Sequence, residues 1–363
     1  MDGDLWAEGR NSKFISNALN CINLQLVRHK RELIECQHGY DDDCSFHPEY
    51  AHQIFGQKEL IFGYRDLIVN IHFLACSMKC LLNIKYREKV KSSDLEPTNI
   101  EEVLKKYLPE NFTTDSEQFI EWLRAEKSVL WGETVRSYMK ESEDAGNSID
   151  LNNDRWEIFI TFEEYLTSDK QKRYAPIAFC TLFKFYAYLD KIRPRVSQLL
   201  VLPPFQRRGH GSKMLDSVYN YFNKDDVKDI TAEIPNADFV MVRDILLTKW
   251  CSKLQAFAAD KLATGFTQEM YTEGNIRTKA SVDSLRRVYY ILRIVSMIKN
   301  EKRDDIATLK NDIKSMLTKK HMQEKIPLKN EERIMQEELL DRCVEDTYLT
   351  FEATAEAFLR HSK

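Results

Sequence analysis

The sequence predicts an α+β protein, and three observations carry that reading. Aromatic and branched residues dominate the runs Trp156 to Tyr165, Ile177 to Tyr188 and Val196 to Leu202, as in strands. After Gly211 the apolar residues Met214, Leu215, Val218, Tyr219 and Phe222 recur at spacings of three and four, so an amphipathic helix starts at the glycines. Toward the carboxyl end Leu285, Val288, Ile291, Leu292 and Val295 make one helical face, and Ile306, Leu309, Ile313, Met316 and Leu317 make another, with Pro327 before a last helix.

The remaining elements follow in chain order. From Phe46 to Val90 the sequence reads as short strands broken by turn signals at Gly56-Gln57 and Gly63-Tyr64, which gives a β-rich or mixed amino-terminal domain. A polar stretch with Ser92, Ser93 and Pro97 leads to a helix beginning at Ile100, which Thr98 or Asn99 can cap. Glu141 to Asp154 reads as a connecting loop. Asp229 to Glu233 reads as a short strand, and Asn236 can cap a helix carrying Val240, Val242, Ile245 and Leu246. A chain of 363 residues exceeds what one core usually supports. The expected division is a mixed α/β domain over 1–115, a central sheet domain over 116–268 and a helical domain over 269–363.

Composition narrows the function classes. A net charge of -4 supplies no basic field for a phosphate backbone, and it suits a cationic partner better than nucleic acid. No basic-then-apolar leader begins at Met1, and no run reaches the ~18 apolar residues of a membrane span, so a soluble protein is expected. Eight scattered cysteines form no disulfide framework and point to a reducing compartment, cytoplasm or nucleus. Cys36, His38, Cys44, His47 and His52 lie close together, but they lack the paired cysteine spacing of a zinc knuckle and read as a polar loop; no metal is expected.

The chemistry concentrates in Gln206-Arg207-Arg208-Gly209-His210-Gly211. A helix amino terminus leaves backbone N–H groups unpaired and partly positive, so a glycine turn entering it can cradle phosphate oxygens, with Arg207 and Arg208 adding charge. There is no third glycine for a dinucleotide site and no Gly-Lys-Ser/Thr for a nucleoside triphosphate. A ligand-free tight turn would use the same residues.

Following the strand Leu199-Leu200-Val201-Leu202, this run resembles the (Gln/Arg)-x-x-Gly-x-(Gly/Ala) loop of the GNAT superfamily of N-acetyltransferases. The stretches Arg193 to Gln206, Asp229 to Glu233 and Arg286 to Arg293 resemble the catalytic subunit of the type B histone acetyltransferase. Pro48 to Gly56 and Phe62-Gly63-Tyr64 are similar to that family's amino-terminal domain. The resemblance implies a central GNAT-type mixed sheet flanked by helices and an acetyl-coenzyme A site in the 116–268 domain. It implies cofactor contacts from the backbone of Leu199, Leu200 and Val201, one N–H serving the oxyanion, and from Gln206, Arg207, Arg208, Gly209, His210, Gly211 and Ser212.

A substrate lysine with a pKa near ~10.4 must lose a proton at a cost of roughly 4 to 5 kcal/mol at neutral pH, so a general base is needed. The family's base, the glutamate of its Ile-Thr-Ala-Glu motif, falls on Glu233, with the amine attacking the thioester directly in a ternary complex. One departure is Ile234, where the family commonly has Asp; Glu143 and Asp144 are acidic groups held in reserve. Histone-tail contacts carry over to Gln57, Lys58, Glu59, Trp156, Phe183, Lys184 and Phe185, a mixture with acidic and aromatic groups suited to a basic peptide. The implied substrate is free, newly made histone H-four, the implied partner a WD-repeat histone chaperone, and the implied locations cytoplasm and nucleus, without membrane or direct nucleic-acid reading. Two rival readings are a non-catalytic histone-binding module and a small-amine acetyltransferase.

Overall fold

The computed structural model describes residues 12–35, 45–91, 96–110, 112–126, 153–300, 306–321 and 330–361. It divides into two compact units: Met1–Asn152 with Ile160–Phe179 and Val201–Arg208, and Asn153–Phe159 with Cys180–Leu200 and Gly209–Lys363.

The first unit is built on a four-stranded sheet. Strand β2 (Ile22–Val27) pairs in parallel with β6 (Ile68–Leu74), whose other edge is antiparallel to β7 (Cys80–Lys85), and the two-residue β3 (Ser45–Phe46) closes the β2 edge. Both faces of this sheet are covered, because alternate residues of each strand feed different clusters. Ile22, Val69, Ile71, Cys80 and Leu82 pack with Ile100 and Leu104 of α4 (Ile100–Lys105). Val27, Leu74 and Leu81 pack on the opposite side with Phe119 and Leu123 of α5 (Ser116–Ala125). Asn99 caps α4 and Asp115 caps α5, each side chain accepting a first-turn N–H.

Shorter pieces complete the unit: β1 (Ile15–Asn17) against β4 (Leu60–Phe62), β5 (Tyr64–Arg65) against β8 (Glu88–Lys89), and the helices α1 (Ala18–Cys21), α2 (Lys30–Glu35) and α3 (His52–Phe55). The stretch expected to hold only strands thus contains one helical turn, α3, closed by Gly56 at φ 73°. Gly63 is the tightest joint. Its φ is 106°, its N–H donates to Phe14 O at 2.8 Å and its carbonyl accepts from Val90 N at 2.9 Å. A Cβ there would lie 2.2 Å from Pro97 Cβ.

Three long strands supply segments to both units: β9 (Trp156–Leu166), β10 (Lys172–Ala187) and β11 (Lys191–Val201), in the sheet order β12-β11-β10-β9 with β12 (Thr231–Ala232) at the edge. All three were anticipated, but β10 and β11 begin earlier than the apolar runs suggested, whereas the strand read over Asp229–Glu233 contracts to two residues. The rest of the second unit is helical: α6 (His210–Tyr221), α7 (Ala237–Cys251), α8 (Gln268–Thr278), α9 (Val282–Lys299), α10 (Ile306–His321) and α11 (Asn330–His361). Helix α9 is its axis, burying Leu285, Val288, Tyr289, Ile291, Leu292, Ile294 and Val295 among α7, α8 and α11. Asp244, wholly buried on α7, accepts from Arg243 at 2.8 Å and from Arg287 of α9 at 2.6 Å, so its charge is paired twice over. No described helix is long and apolar enough to cross a membrane.

Two outcomes follow for the first unit. Gly63→Ala combines a left-handed backbone strain with a steric collision, and should lower unfolding free energy by roughly 2 to 5 kcal/mol in urea titration. The second concerns His72, which is buried with Nδ1 2.7 Å from Gln25 Oε1; burial, helped by Lys85, lowers its pKa from 6.5 to about 4. Between those values the unfolded chain binds a proton that the folded chain refuses. Stability should therefore fall as pH drops from about 6.5 to about 4, by up to about 3 kcal/mol. Urea unfolding across that window should show a shallower slope for His72→Gln than for the wild type; equal slopes would remove His72 as the cause.

Candidate active site

Glu233 owes its position to a short series of contacts between β11 and the segment that enters β12. Asp229, 5% exposed, receives a two-pronged hydrogen bond from Arg193, with Nη2 to Oδ2 at 3.0 Å. Ile230 N donates to Lys279 O at 2.7 Å. Then β12 runs parallel to β11 for two residues, Thr231 beside Arg195 and Ala232 beside Val196, and Glu233 N donates to Val196 O at 2.9 Å. The Glu233 carboxylate is exposed, and its Oε2 accepts from Ser197 Oγ at 3.1 Å.

The chain leaves the sheet directly after Glu233. Ile234 has φ 37° and is 94% exposed, an unusual conformation for a β-branched residue. Pro235 follows without an N–H, and Asn236 caps α7 by accepting from Phe239 N at 2.9 Å. As a result, among the described residues no strand pairs with β11 beyond Val196 on the β12 side. Leu199 and Leu200 lie along that open edge, Leu200 being 42% exposed.

On the same unit, Trp156 meets Phe183 edge to face at 5.1 Å between ring centroids, Phe183 meets Phe185 at 4.8 Å, and the guanidinium of Arg195 lies 4.6 Å from the Phe185 centroid. Strand alternation puts Arg195 and Ser197 on one face of β11, so the aromatic row and the Ser197–Glu233 pair share that face. Lys184 points the other way, its Nζ donating to Glu157 Oε1 at 3.0 Å. The expected group Phe183-Lys184-Phe185 is therefore two aromatics on the Glu233 face and a lysine on the reverse. Sequence reasoning assigned no role to Arg195 or Ser197, although counting in twos along β11 picks them out once β12 is placed beside it.

The turn after β11 crosses from one unit to the other between Arg208 and Gly209. On its first side Val201 ends β11, and Gln206 Nε2 donates back to Val201 O at 3.0 Å; Arg207 adopts φ 58° and Arg208 lies 5.9 Å from the Phe205 ring. On its second side Gly209 occupies the cap position of α6 at φ 84°, and a Cβ there would meet nothing within 4 Å. Its glycine thus serves the left-handed conformation and leaves open space before the helix. His210, Gly211 and Ser212 form the first turn of α6, and the glycine at its cap position brings no capping side chain. A capless helix start behind an open glycine suits a phosphate-bearing ligand such as coenzyme A.

The other predicted residues lie in the first unit. Gln57 and Lys58 are exposed in the turn after Gly56, while Glu59, at φ 53°, is engaged locally. Its Oε1 accepts from Ala51 N at 2.6 Å and sits 3.7 Å from His52 Nδ1. His47 Nδ1 is 2.9 Å from Ile22 O. Cys36, His38, Cys44, Glu143 and Asp144 lie outside the described residues. Among the described residues no group of three His, Cys, Asp or Glu side chains is arranged around a metal.

Removing the carboxylate that starts β12 should loosen its end. Asp229→Ala should cost roughly 1 to 3 kcal/mol in urea unfolding and should raise the hydrogen-exchange rate of the Glu233 amide. An unchanged exchange rate would mean that the two-residue pairing holds Glu233 without the Arg193 contact.

Comparison with known proteins identifies the fold's lineage. The family model described as the histone acetyl transferase HAT1 N-terminus matches residues 14–177, and the C-terminal model of the histone acetyltransferase type B catalytic subunit matches residues 243–294. The Homo sapiens histone acetyltransferase type B catalytic subunit is 31% identical over 327 residues, spanning 79% of this chain and 76% of the relative. The Schizosaccharomyces pombe protein of the same name is 30% identical over 261 residues, 64% of this chain and 65% of the relative. A solved aminoglycoside acetyltransferase from an uncultured soil metagenomic sample aligns at a TM-score of 0.20 and 18% identity, over 26% of this chain and 63% of its own, too slight a likeness to argue from. With more than two thirds of the human relative matched at that identity, the chain belongs to the family of histone acetyltransferase type B catalytic subunits.

Proposed function

We propose that the chain transfers acetyl from acetyl-coenzyme A to tail lysines of free, newly synthesised histone H-four, by direct attack in a ternary complex. The observation that carries this is the exposed Glu233 carboxylate, fixed at the end of a parallel strand pair just where the neighbouring edge of β11 opens. Acetyl-coenzyme A supplies an activated thioester carbonyl. The chain supplies the rest. Glu233 takes the proton from the substrate ammonium, leaving a neutral amine as nucleophile. The open edge at Leu199 and Leu200, with Val201, whose carbonyl accepts from Gln206, offers backbone groups for strand-like pairing with the pantetheine arm and an N–H for charge developing on the acyl oxygen. Gln206, Arg207, Arg208, Gly209, His210, Gly211 and Ser212 offer the turn and helix start for the phosphates.

Trp156, Phe183 and Phe185, with Gln57, Lys58 and Glu59, are the proposed peptide contacts. Of these, Glu59 contributes through the shape of its turn, because its carboxylate already serves Ala51 and His52. Family resemblance further supports a WD-repeat histone chaperone as partner and residence in cytoplasm and nucleus.

Steady-state acetylation of free histone H-four by wild type and Glu233→Gln, with acetyl-coenzyme A binding measured in parallel, tests the reading. Turnover should fall roughly 10²- to 10⁴-fold in the variant while binding is retained. Retained turnover would remove Glu233 as the base. Faster acetylation of a polyamine than of the histone would replace the proposed substrate class, and tight histone binding with no wild-type turnover would leave a binding module.

A further inference from the structure

We infer that Ser197 is a positioning residue for the reaction, its hydroxyl holding the Glu233 carboxylate in the orientation that receives the substrate proton. This rests on Glu233 as general base. Glu233 is exposed and long, and an exposed glutamate samples many rotamers; fixing one is costly unless a neighbour selects it. Ser197 is suited to that task because its backbone continues a strand paired just before it. It follows Arg195 and Val196, which are paired with Thr231 and Ala232, and Val196 O receives the Glu233 N–H at 2.9 Å. Backbone and side chain of Glu233 are thus both tied to consecutive residues of one strand, the second through Ser197 Oγ to Oε2 at 3.1 Å. One carboxylate oxygen accepts from Ser197, while Oε1 carries no comparable side-chain tie. The serine also shares its strand face with Arg195, Phe185 and the aromatic row, so it stands between that row and the base.

The arrangement has two consequences that separate positioning from mere support of the fold. A hydroxyl that donates to the carboxylate selects one of its rotamers, so its loss should leave the base free to sample others, and a residue that keeps the hydroxyl should restore the selection. Loss of the hydroxyl should also lower the fraction of bound substrate that meets a correctly turned carboxylate, reducing kcat and leaving KM for both substrates in place.

The experiment measures kcat and KM for wild type, Ser197→Ala, Ser197→Thr, Glu233→Gln and the Ser197→Ala/Glu233→Gln double variant. Ser197→Ala should lose roughly tenfold in kcat, the low end for a hydrogen bond to a charged group. Its KM values should hold. Ser197→Thr, which keeps the hydroxyl on a strand-favouring side chain, should recover most of the rate. In the Glu233→Gln background Ser197→Ala should cost nothing further. If Glu233→Gln itself turns over normally, the base assignment is wrong. If Glu233→Gln is inactive while Ser197→Ala behaves as wild type, the positioning role alone is overturned. It is equally overturned by a rate loss that threonine does not restore or that recurs undiminished in the Glu233→Gln background.

Discussion

The two-residue parallel contact between β12 and β11 is the constraint on which the site depends. Parallel strands cannot be joined by a tight turn; the chain must cross over before returning. Here the crossover is α6, and it has to begin soon after β11 ends. One topological choice therefore yields two chemical features: a helix start at His210, reached through the turn that follows Val201, and a carboxylate returned to the neighbouring edge of β11 at Glu233. The left-handed Arg207 and Gly209 are the local requirements for reversing the chain in so few residues.

The brevity of β12 matters as much as its direction. Had the strand continued, it would have filled the β11 edge at Leu199 and Leu200. Three consecutive residues prevent that, each by a different means. Ile234 turns the backbone left-handed, Pro235 has no N–H to give a ladder, and Asn236 commits the next residues to α7 by capping it. A β-branched residue at φ 37° costs of order 1 to 3 kcal/mol, and the neighbouring contacts of Asp229, Ile230 and Glu233 are what hold it there. Among the described residues Ser197 is the side chain seen to tie down Glu233.

Features set by local chemistry were legible in the sequence. Asn236, and either Thr98 or Asn99, were read as caps because a short polar side chain before an apolar period has few other uses, and Asn236 and Asn99 are the ones that accept a first-turn N–H. The helical face of α6 followed from Met214, Leu215, Val218 and Tyr219, all buried. Features set by partners distant in sequence were not. Strands β1 and β2 went unread because their register is fixed by β4 and β6, distant in sequence, through pairings such as Ile15 with Phe62 and Ile22 with Val69. The Ser197–Glu233 bond joins residues 36 apart and has no local signature. Glu59 read as a free acidic group because nothing nearby in sequence reveals that its carboxylate closes on the amide of Ala51.

The aromatic row sharpens what the site asks of a cationic substrate. Trp156, Phe183 and Phe185 meet edge to face in sequence, and the guanidinium of Arg195 covers one face of Phe185 at 4.6 Å. A guanidinium stacked on a ring gains about 0.5 to 1 kcal/mol at an exposed site, and a second cation arriving there would meet both an occupied surface and a like charge. Attraction of a basic tail to that face therefore cannot rest on ring electrostatics alone. In the proposed reading the open β11 edge belongs to the pantetheine arm, so a basic tail that uses this ring has to displace Arg195 from it.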